Sequence, residues 1–375
     1  MWIPDDAIRL LTKRGISGIL KKILLFPKEL VIVRYLPFGS TGAIVSELGF
    51  GGIPIIRLTT EDAVRVLKRA YDRGINFFDT ANSYEGSEEK FGSALSGVRE
   101  KIFIATKSKK RDGKGVTEHI ELSLKRMKTD YIDLFQFHQV VQEKDWQAII
   151  APGGALDAAL EARRQGKVRF IGITSHGIPT ALAALSTDNF VSIQFPFNFI
   201  ETGAAESLLP LAQKKGLAFI AMKPFAGGAI SDASLAFKFL RSHPYILPIP
   251  GYDSVESVDQ VTSFYESPNV VSEEDRRAME SIADTLGKEF CRRCEYCQPC
   301  PHGVSITLGM TYPLLASRMS PQVACGYVTK ALETLPQCVE CGACLPKCPY
   351  NLPIPDMLKK HYALFREHRR LYSNG

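Results

Sequence analysis

The chain has 375 residues, 45 % of them hydrophobic and 23 % charged, which is a globular composition with room for one large core and a smaller second unit. No apolar run of about eighteen residues occurs, and the start MWIPDDAIRLLTKRG carries acidic residues without an apolar core, so neither secretion nor membrane spanning is expected and a cytoplasmic location is. The net charge of +6 is modest and much of the excess sits at the two ends, in KRGISGILKK and KKHYALFREHRR, which gives no argument for a nucleic-acid partner.

In chain order, Ile8, Leu11, Ile19, Leu20, Ile23 and Leu24 recur at near-helical spacing with basic residues among them, although Gly15 and Gly18 weaken the pattern. This predicts a helical extension over residues 1–33, either docked on the protein or facing a partner or a membrane surface. The segment VRYLPFGSTGAIVSELGFG reads as a hairpin around Gly39 to Gly42 that closes the floor of the main unit.

From about Ser46 to Gln260, short β-branched or aromatic runs alternate with amphipathic segments. The predicted strands end near Gly51, Asp79, Lys107, His138, Ser175, Phe195, Lys223 and Gly251. Between them lie helical patterns such as EDAVRVLKRAYDRG, in which Ala63, Val66, Leu67, Ala70 and Tyr71 share a face and Gly74 ends the turn. Eight parallel strands of this kind most simply close into a (β/α)8 TIM barrel, an α/β fold expected over residues 34–284.

In such a barrel the chemistry sits just past the carboxyl ends of the strands. Asp79, Lys107 and His138 fall there, and Tyr84 comes next in the loop ANSYEG. A tyrosine with its usual pKa near ~10 is a poor proton donor at neutral pH unless a cation assists it, and a lysine held by a carboxylate is such a cation. Each residue alone has a structural explanation, as strand-end cap, ion pair, loop aromatic or core histidine. Together, in this order and at these strand ends, they point to a carbonyl-reducing site.

The blocks GINFFDTANSYEGSEEKFG, IFIATK, YIDLFQFH, RFIGITS, SIQFPFN and ILPIPG resemble successive blocks of the aldo-keto reductase family, over roughly Arg34 to Val261. The resemblance implies Tyr84 as general acid, Lys107 and Asp79 as its tuning pair, and His138 as the hydrogen-bond partner of the substrate carbonyl. It also implies Ser175 and Gln194 as contacts of a nicotinamide carboxamide, so NAD(P)H is one cofactor open to the barrel. The sequence departs from the family at three places. Ser257 stands where an arginine is common, His176 where an asparagine usually succeeds the serine, and Met222 where an aromatic ring often stacks on the nicotinamide.

All nine cysteines lie at or beyond Cys291, which marks a separate unit expected over residues 285–375. Regular Cys-x-x-Cys spacing points to metal rather than to disulfides. The first motif is Cys291, Cys294, Cys297 and Cys300 before Pro301; the second is Cys338, Cys341, Cys344 and Cys348 before Pro349. The second is the bacterial ferredoxin pattern, in which three close cysteines hold one cluster and the fourth reaches the other. By that logic Cys291, Cys294, Cys297 and Cys348 bind one 4Fe-4S cluster, and Cys338, Cys341, Cys344 and Cys300 bind a second. Four-thiolate zinc sites and a single cluster with spare thiols are the alternatives. Cys325, alone in SPQVACGYVTKALET, reads as a buried small residue. The whole chain is similar to a subset of aldo-keto-reductase-like proteins that carries such a ferredoxin-type, mainly helical C-terminus.

The expected function is therefore an iron-sulfur oxidoreductase that reduces or oxidises a carbonyl or an activated double bond of a small molecule, with electrons carried by two clusters. The basic tail and Pro301, Pro346 and Pro349 offer a docking face for a ferredoxin-like donor. Two other classes stay open: an NAD(P)H-dependent carbonyl reductase braced by its clusters, and an electron-transfer subunit with an idle barrel. No flavin motif is evident. Trp146, after His138, is either a pocket wall or core packing.

Overall fold

The computed structural model describes residues 33–372. The extension expected over residues 1–33 lies, but for Val33, outside the described residues.

The chain enters as an antiparallel hairpin of β1 (Tyr35–Pro37) and β2 (Ile44–Ser46). Its turn passes through Gly39 at φ 55°, where a side chain would sit 2.6 Å from the carbonyl oxygen of Gly216, so only glycine fits. The turn presents Phe38, fully buried, against Phe77 at 5.6 Å and Phe103 at 4.9 Å between ring centroids. Both partners begin strands of the barrel, so the hairpin plugs its amino-terminal end, as its sequence predicts. Phe38→Ala empties this plug, and the expected cost is about 3–5 kcal/mol of unfolding free energy, read from urea melts monitored by circular dichroism.

Eight parallel strands come next: β3 (Gly49–Gly51), β4 (Phe77–Asp79), β5 (Phe103–Ser108), β6 (Ile132–Phe137), β7 (Val168–Thr174), β8 (Ser192–Pro196), β9 (Ala218–Met222) and β10 (Ile246–Ile249). Neighbours in sequence are neighbours in the sheet, and the ring closes where Gly51 N–H donates to the Pro250 carbonyl at 2.7 Å. A Cβ on Gly51 would come within 2.9 Å of the carbonyl oxygens of Ile249 and Pro250, which explains the glycine at the seam. The strands are apolar on both faces because side chains fill the lumen while helices cover the outside.

The covering helices are α1 (Thr60–Asp72), α2 (Ser87–Leu95), α3 (Gly113–Met127), α4 (Glu143–Ile150), α5 (Ala155–Arg164), α6 (Ile178–Ser186), α7 (Leu208–Lys215), α8 (Ala233–Arg241) and α9 (Val255–Ser263). Helix α1 forms as its pattern predicts. Thr59 accepts from the Asp62 N–H at its start, and Ala63, Val66, Leu67 and Ala70 are buried. Trp146 in α4 is buried against Phe190 at 6.0 Å, so it belongs to the packing and not to a pocket wall.

After α10 (Glu273–Gly287), capped by Ser272, the chain forms α11 (Ile306–Met319), α12 (Pro321–Leu332) and α13 (Ile354–Tyr372). These pack on a core of their own that includes Tyr312, Val328, Leu358 and Phe365. Cys325 is buried in that core, and Tyr312 Oη lies 3.1 Å from its sulfur and 2.9 Å from His368 Nδ1. The cysteine motifs occupy the loops before α11 and before α13, and among the described residues no strand succeeds Ile249.

Candidate active site

Strand register places the polar groups. Asp79 ends β4, Lys107 lies one residue before the end of β5 and His138 comes directly after β6, all at the carboxyl mouth of the barrel. Lys107 is buried, and its Nζ donates to Asp79 Oδ2 and to the Thr80 carbonyl, each at 2.6 Å. The same Nζ stands 5.1 Å from the centre of the Tyr84 ring, and the His138 ring meets Tyr84 edge-on at 5.7 Å. Sequence reasoning placed these four residues at one spot, and they are together.

Burial pushes the Asp79 carboxyl upward, opposed by the Lys107 ammonium and by hydrogen bonds from Gln136 and Gln194. Breaking such a pair by removing one partner leaves a buried charge uncompensated. Burial also holds His138 well below its usual range, and the neighbouring cations Lys107, Lys109 and Arg111 add to the effect. His138 is therefore neutral at pH 7, and a neutral imidazole still donates one hydrogen bond. Its Nδ1 lies 3.5 Å from Ser83 Oγ.

A depressed histidine pKa fixes the sign of a pH effect. Above about pH 6.5 His138 is uncharged in both folded and unfolded chains and contributes nothing; below it the unfolded chain takes up a proton that the folded one refuses. Stability should thus fall as the pH drops below about 6.5. Thermal melts between pH 5 and 8 check this, and His138→Gln should flatten the acid limb.

Gln194 and Ser175 have their polar atoms engaged. Gln136 Nε2 donates to Gln194 Oε1 at 2.9 Å and to Asp79 Oδ1 at 3.3 Å. Ser175 Oγ donates toward the carbonyl of Val140, in the segment after β6, at 2.7 Å and accepts from the Gly177 N–H of its own loop at 3.0 Å. Gln136 was not singled out from sequence. Its signal was a polar residue facing inward within the apolar run LFQF.

The first cysteine loop lies over this mouth, which sequence reasoning also missed. Tyr296 Oη accepts from the Ile178 N–H at 3.2 Å, and Gln142 donates to Glu295 at 3.4 Å, tying the loop to the segments after β7 and β6. The Arg293 guanidinium is within electrostatic range of His176, whose pKa lies well below the usual value through burial, Lys223 and then Arg293.

The nine cysteines are all free thiols and fall into groups. Burial raises Cys291, Cys294 and Cys297, and neighbouring thiols that include Cys348 add to it; Cys291 is pushed up to about 11 and Cys297 to about 12. Cys344 is raised by burial and then by Cys338, Cys300 and Cys341. The second group lines a pocket with Cys297, Val339 and Leu358, holding about 370 Å³ of atom-free space that is partly open to solvent. Among the described residues, no three Cys, His, Asp or Glu side chains converge as ligands of a single metal ion.

The aldo/keto reductase family model matches residues 47–238, which ends before the cysteine-rich segment. An uncharacterized oxidoreductase of Bacillus subtilis, YqkF, is 29 % identical over 272 residues, covering 68 % of this chain and 79 % of the relative. L-galactose dehydrogenase of Arabidopsis thaliana is 30 % identical over 215 residues, 52 % of this chain and 66 % of the relative. Among solved structures, the aldo-keto reductase AKR11C1 of Bacillus halodurans superposes with a TM-score of 0.58 at 24 % identity, over 67 % of this chain and 96 % of its own. An aldo-keto reductase of Klebsiella pneumoniae solved with NADPH has a TM-score of 0.56 at 22 % identity, over 67 % and 95 %. With the family model spanning half of its length and the barrel mouth built as described, the chain belongs to the aldo/keto reductase family and is an oxidoreductase.

Proposed function

We propose that the barrel mouth reduces the carbonyl group of a small molecule, and that the C-terminal segment holds two 4Fe-4S clusters from which the electrons come. The observation that carries the catalytic part is the buried Lys107, bonded at 2.6 Å to Asp79 and facing the Tyr84 ring at 5.1 Å. Two electrons supplied singly to a carbonyl must be matched by two protons, one that ends on carbon and comes from solvent water, and one on the oxygen. Tyr84 gives its hydroxyl proton to that oxygen, with the Lys107 charge favouring the phenolate left behind. Neutral His138 donates a hydrogen bond to the same oxygen and orients it. Asp79 holds Lys107 in place, and Gln136 holds Asp79.

The cysteines fit a polynuclear cluster better than a lone ion. A structural zinc takes four ligands, commonly as two Cys-x-x-Cys pairs, whereas each stretch here carries four successive thiols and ends in Cys-Pro. This reading takes the pairing of the ferredoxin pattern, Cys291, Cys294, Cys297 with Cys348, and Cys338, Cys341, Cys344 with Cys300, and it draws support from the influence of Cys348 on the first three thiols and of Cys300 on Cys344. Thiols whose pKa values are raised by burial would be protonated and inert alone, and the pull of a metal cation is what would ionise them. A 4Fe-4S cluster, when bound, passes one electron at a time. Anchoring of the first cysteine loop on the barrel by Tyr296 and Glu295 brings that segment to the mouth, which supports electron supply from it. A small ferredoxin-like donor would meet the second group, whose Cys341 and neighbouring Val339 are exposed.

A second reading, an NAD(P)H-dependent carbonyl reductase braced by its clusters, draws support from the Klebsiella reductase of the same barrel fold that was solved with NADPH. Against it, Ser175 and Gln194 already spend their polar atoms on the protein. Anaerobic purification and then iron and sulfide analysis with electron paramagnetic resonance separates the readings. About eight irons per chain, reduced by a low-potential donor and not by NADPH, supports the first. Carbonyl reduction by NADPH with the clusters unchanged supports the second, and absence of iron defeats both as stated.

A further inference from the structure

We propose that the barrel mouth beneath the first cysteine loop is an anion site, and that the carbonyl substrate carries a carboxylate or phosphate held there by Arg293 and Arg111. The inference rests on the reading of the barrel as a carbonyl-reducing site and names the substrate class of that site. Cationic side chains reach this region from three segments of the chain. Lys109 and Arg111 come after β5, Lys223 after β9, and Arg293 descends from the cysteine loop. All four lie within electrostatic range of His138 or His176. The acidic side chains around them are fewer than the cations, and only Asp145 pairs with one of the four, Arg111. Asp79 pairs with Lys107, Asp145 stands 3.7 Å from Arg111, and Glu295 accepts from Gln142.

The donors are also under-used. Arg111 Nη1, Arg293 Nε and Nη2 and His176 Nδ1 are sealed from solvent and have no hydrogen-bond partner in the protein. Arg111 spends its other terminal nitrogen on the carbonyls of His138 and Gln139, which pins the guanidinium beside the catalytic histidine. Leaving a buried guanidinium donor without an acceptor is costly, so these donors are not accounted for by folding alone. An oxyanion satisfies them together, because a carboxylate or phosphate accepts two parallel N–H bonds from one guanidinium. Arg293 sits at φ 60°, an unusual backbone state for a non-glycine residue. Because it belongs to a loop outside the barrel, the anion site is complete only when that loop covers the mouth.

The test uses the full-length protein, purified without oxygen, and calorimetric titration at low salt with oxalate, inorganic phosphate and the neutral diamide oxamide. At least one anion should bind and oxamide should not, and the anion that binds more tightly identifies the head group. Arg293→Gln should weaken that binding about 10- to 100-fold, while Arg65→Gln, an exposed change on α1 that removes the same charge, leaves it unaltered. Arg111→Gln should weaken it similarly, and serves if the Arg293 variant loses iron or fails to fold. Binding of oxamide as tight as that of oxalate, no binding of either anion, or equal affinities in the Arg293, Arg111 and Arg65 variants would overturn the proposal. The catalytic reading fails separately: a protein that binds oxalate but reduces no carbonyl keeps the anion site and loses the reductase assignment, whereas one that reduces neutral aldehydes and ignores both anions does the reverse.

Discussion

Tyr84→Phe should lower kcat for carbonyl reduction by about 10²- to 10⁴-fold while leaving iron content and melting temperature near those of the parent protein. The substitution removes one hydroxyl from a half-buried ring and keeps the edge-on contact with His138 and the approach of Lys107, so the mouth retains its shape. Stopped-flow reduction of a panel of aldehydes and 2-oxo acids measures the effect. An unchanged rate would mean that another group supplies the proton, and the barrel tetrad would lose its catalytic role. Lys107→Met should behave differently. It strands Asp79 in the core, at an expected cost of about 3–5 kcal/mol, and the double change with Asp79→Asn should recover part of that loss because the uncompensated charge goes too.

The second large effect concerns the thiols. Cys348→Ser and Cys291→Ser should each remove about four irons and abolish the same paramagnetic signal, although the two residues belong to different sequence motifs. Cys344→Ser should remove the other signal, and Cys325→Ser should remove neither, since its sulfur faces Tyr312 within the helical core. If Cys348→Ser instead extinguishes the signal that Cys344→Ser does, each motif closes on itself and the crossed pairing is wrong.

The parts of this arrangement that sequence made legible are those governed by short-range periodicity. Alternation of apolar runs located all eight barrel strands, and the strand ends located Asp79, Lys107 and His138 because a parallel barrel puts its carboxyl ends on one side. The hairpin at Gly39 was legible through its glycines. What stayed hidden depends on contacts between distant residues. The bond from Ile178 to Tyr296 joins positions 118 apart, and no pattern in either segment announces it. The hydroxyl of Ser175 meets the carbonyl of Val140, 35 positions away, and no pattern in either segment announces that contact. Gln136 lies inside its strand and not past the end, and one polar residue in an apolar run carries no periodic signal of its own.

Proximity of Cys348 to Cys291, Cys294 and Cys297 has a bearing on how such a protein is made and shortened. On the crossed pairing, neither stretch of cysteines is a module that could be cut out or grafted with its cluster. On that pairing a chain ending before Cys338 would lose ligands from both sites at once, so both stretches of cysteines would have to leave the ribosome before either site is complete. Partial products of that length, whether from interrupted synthesis or proteolysis, should therefore carry a folded barrel and no complete electron path.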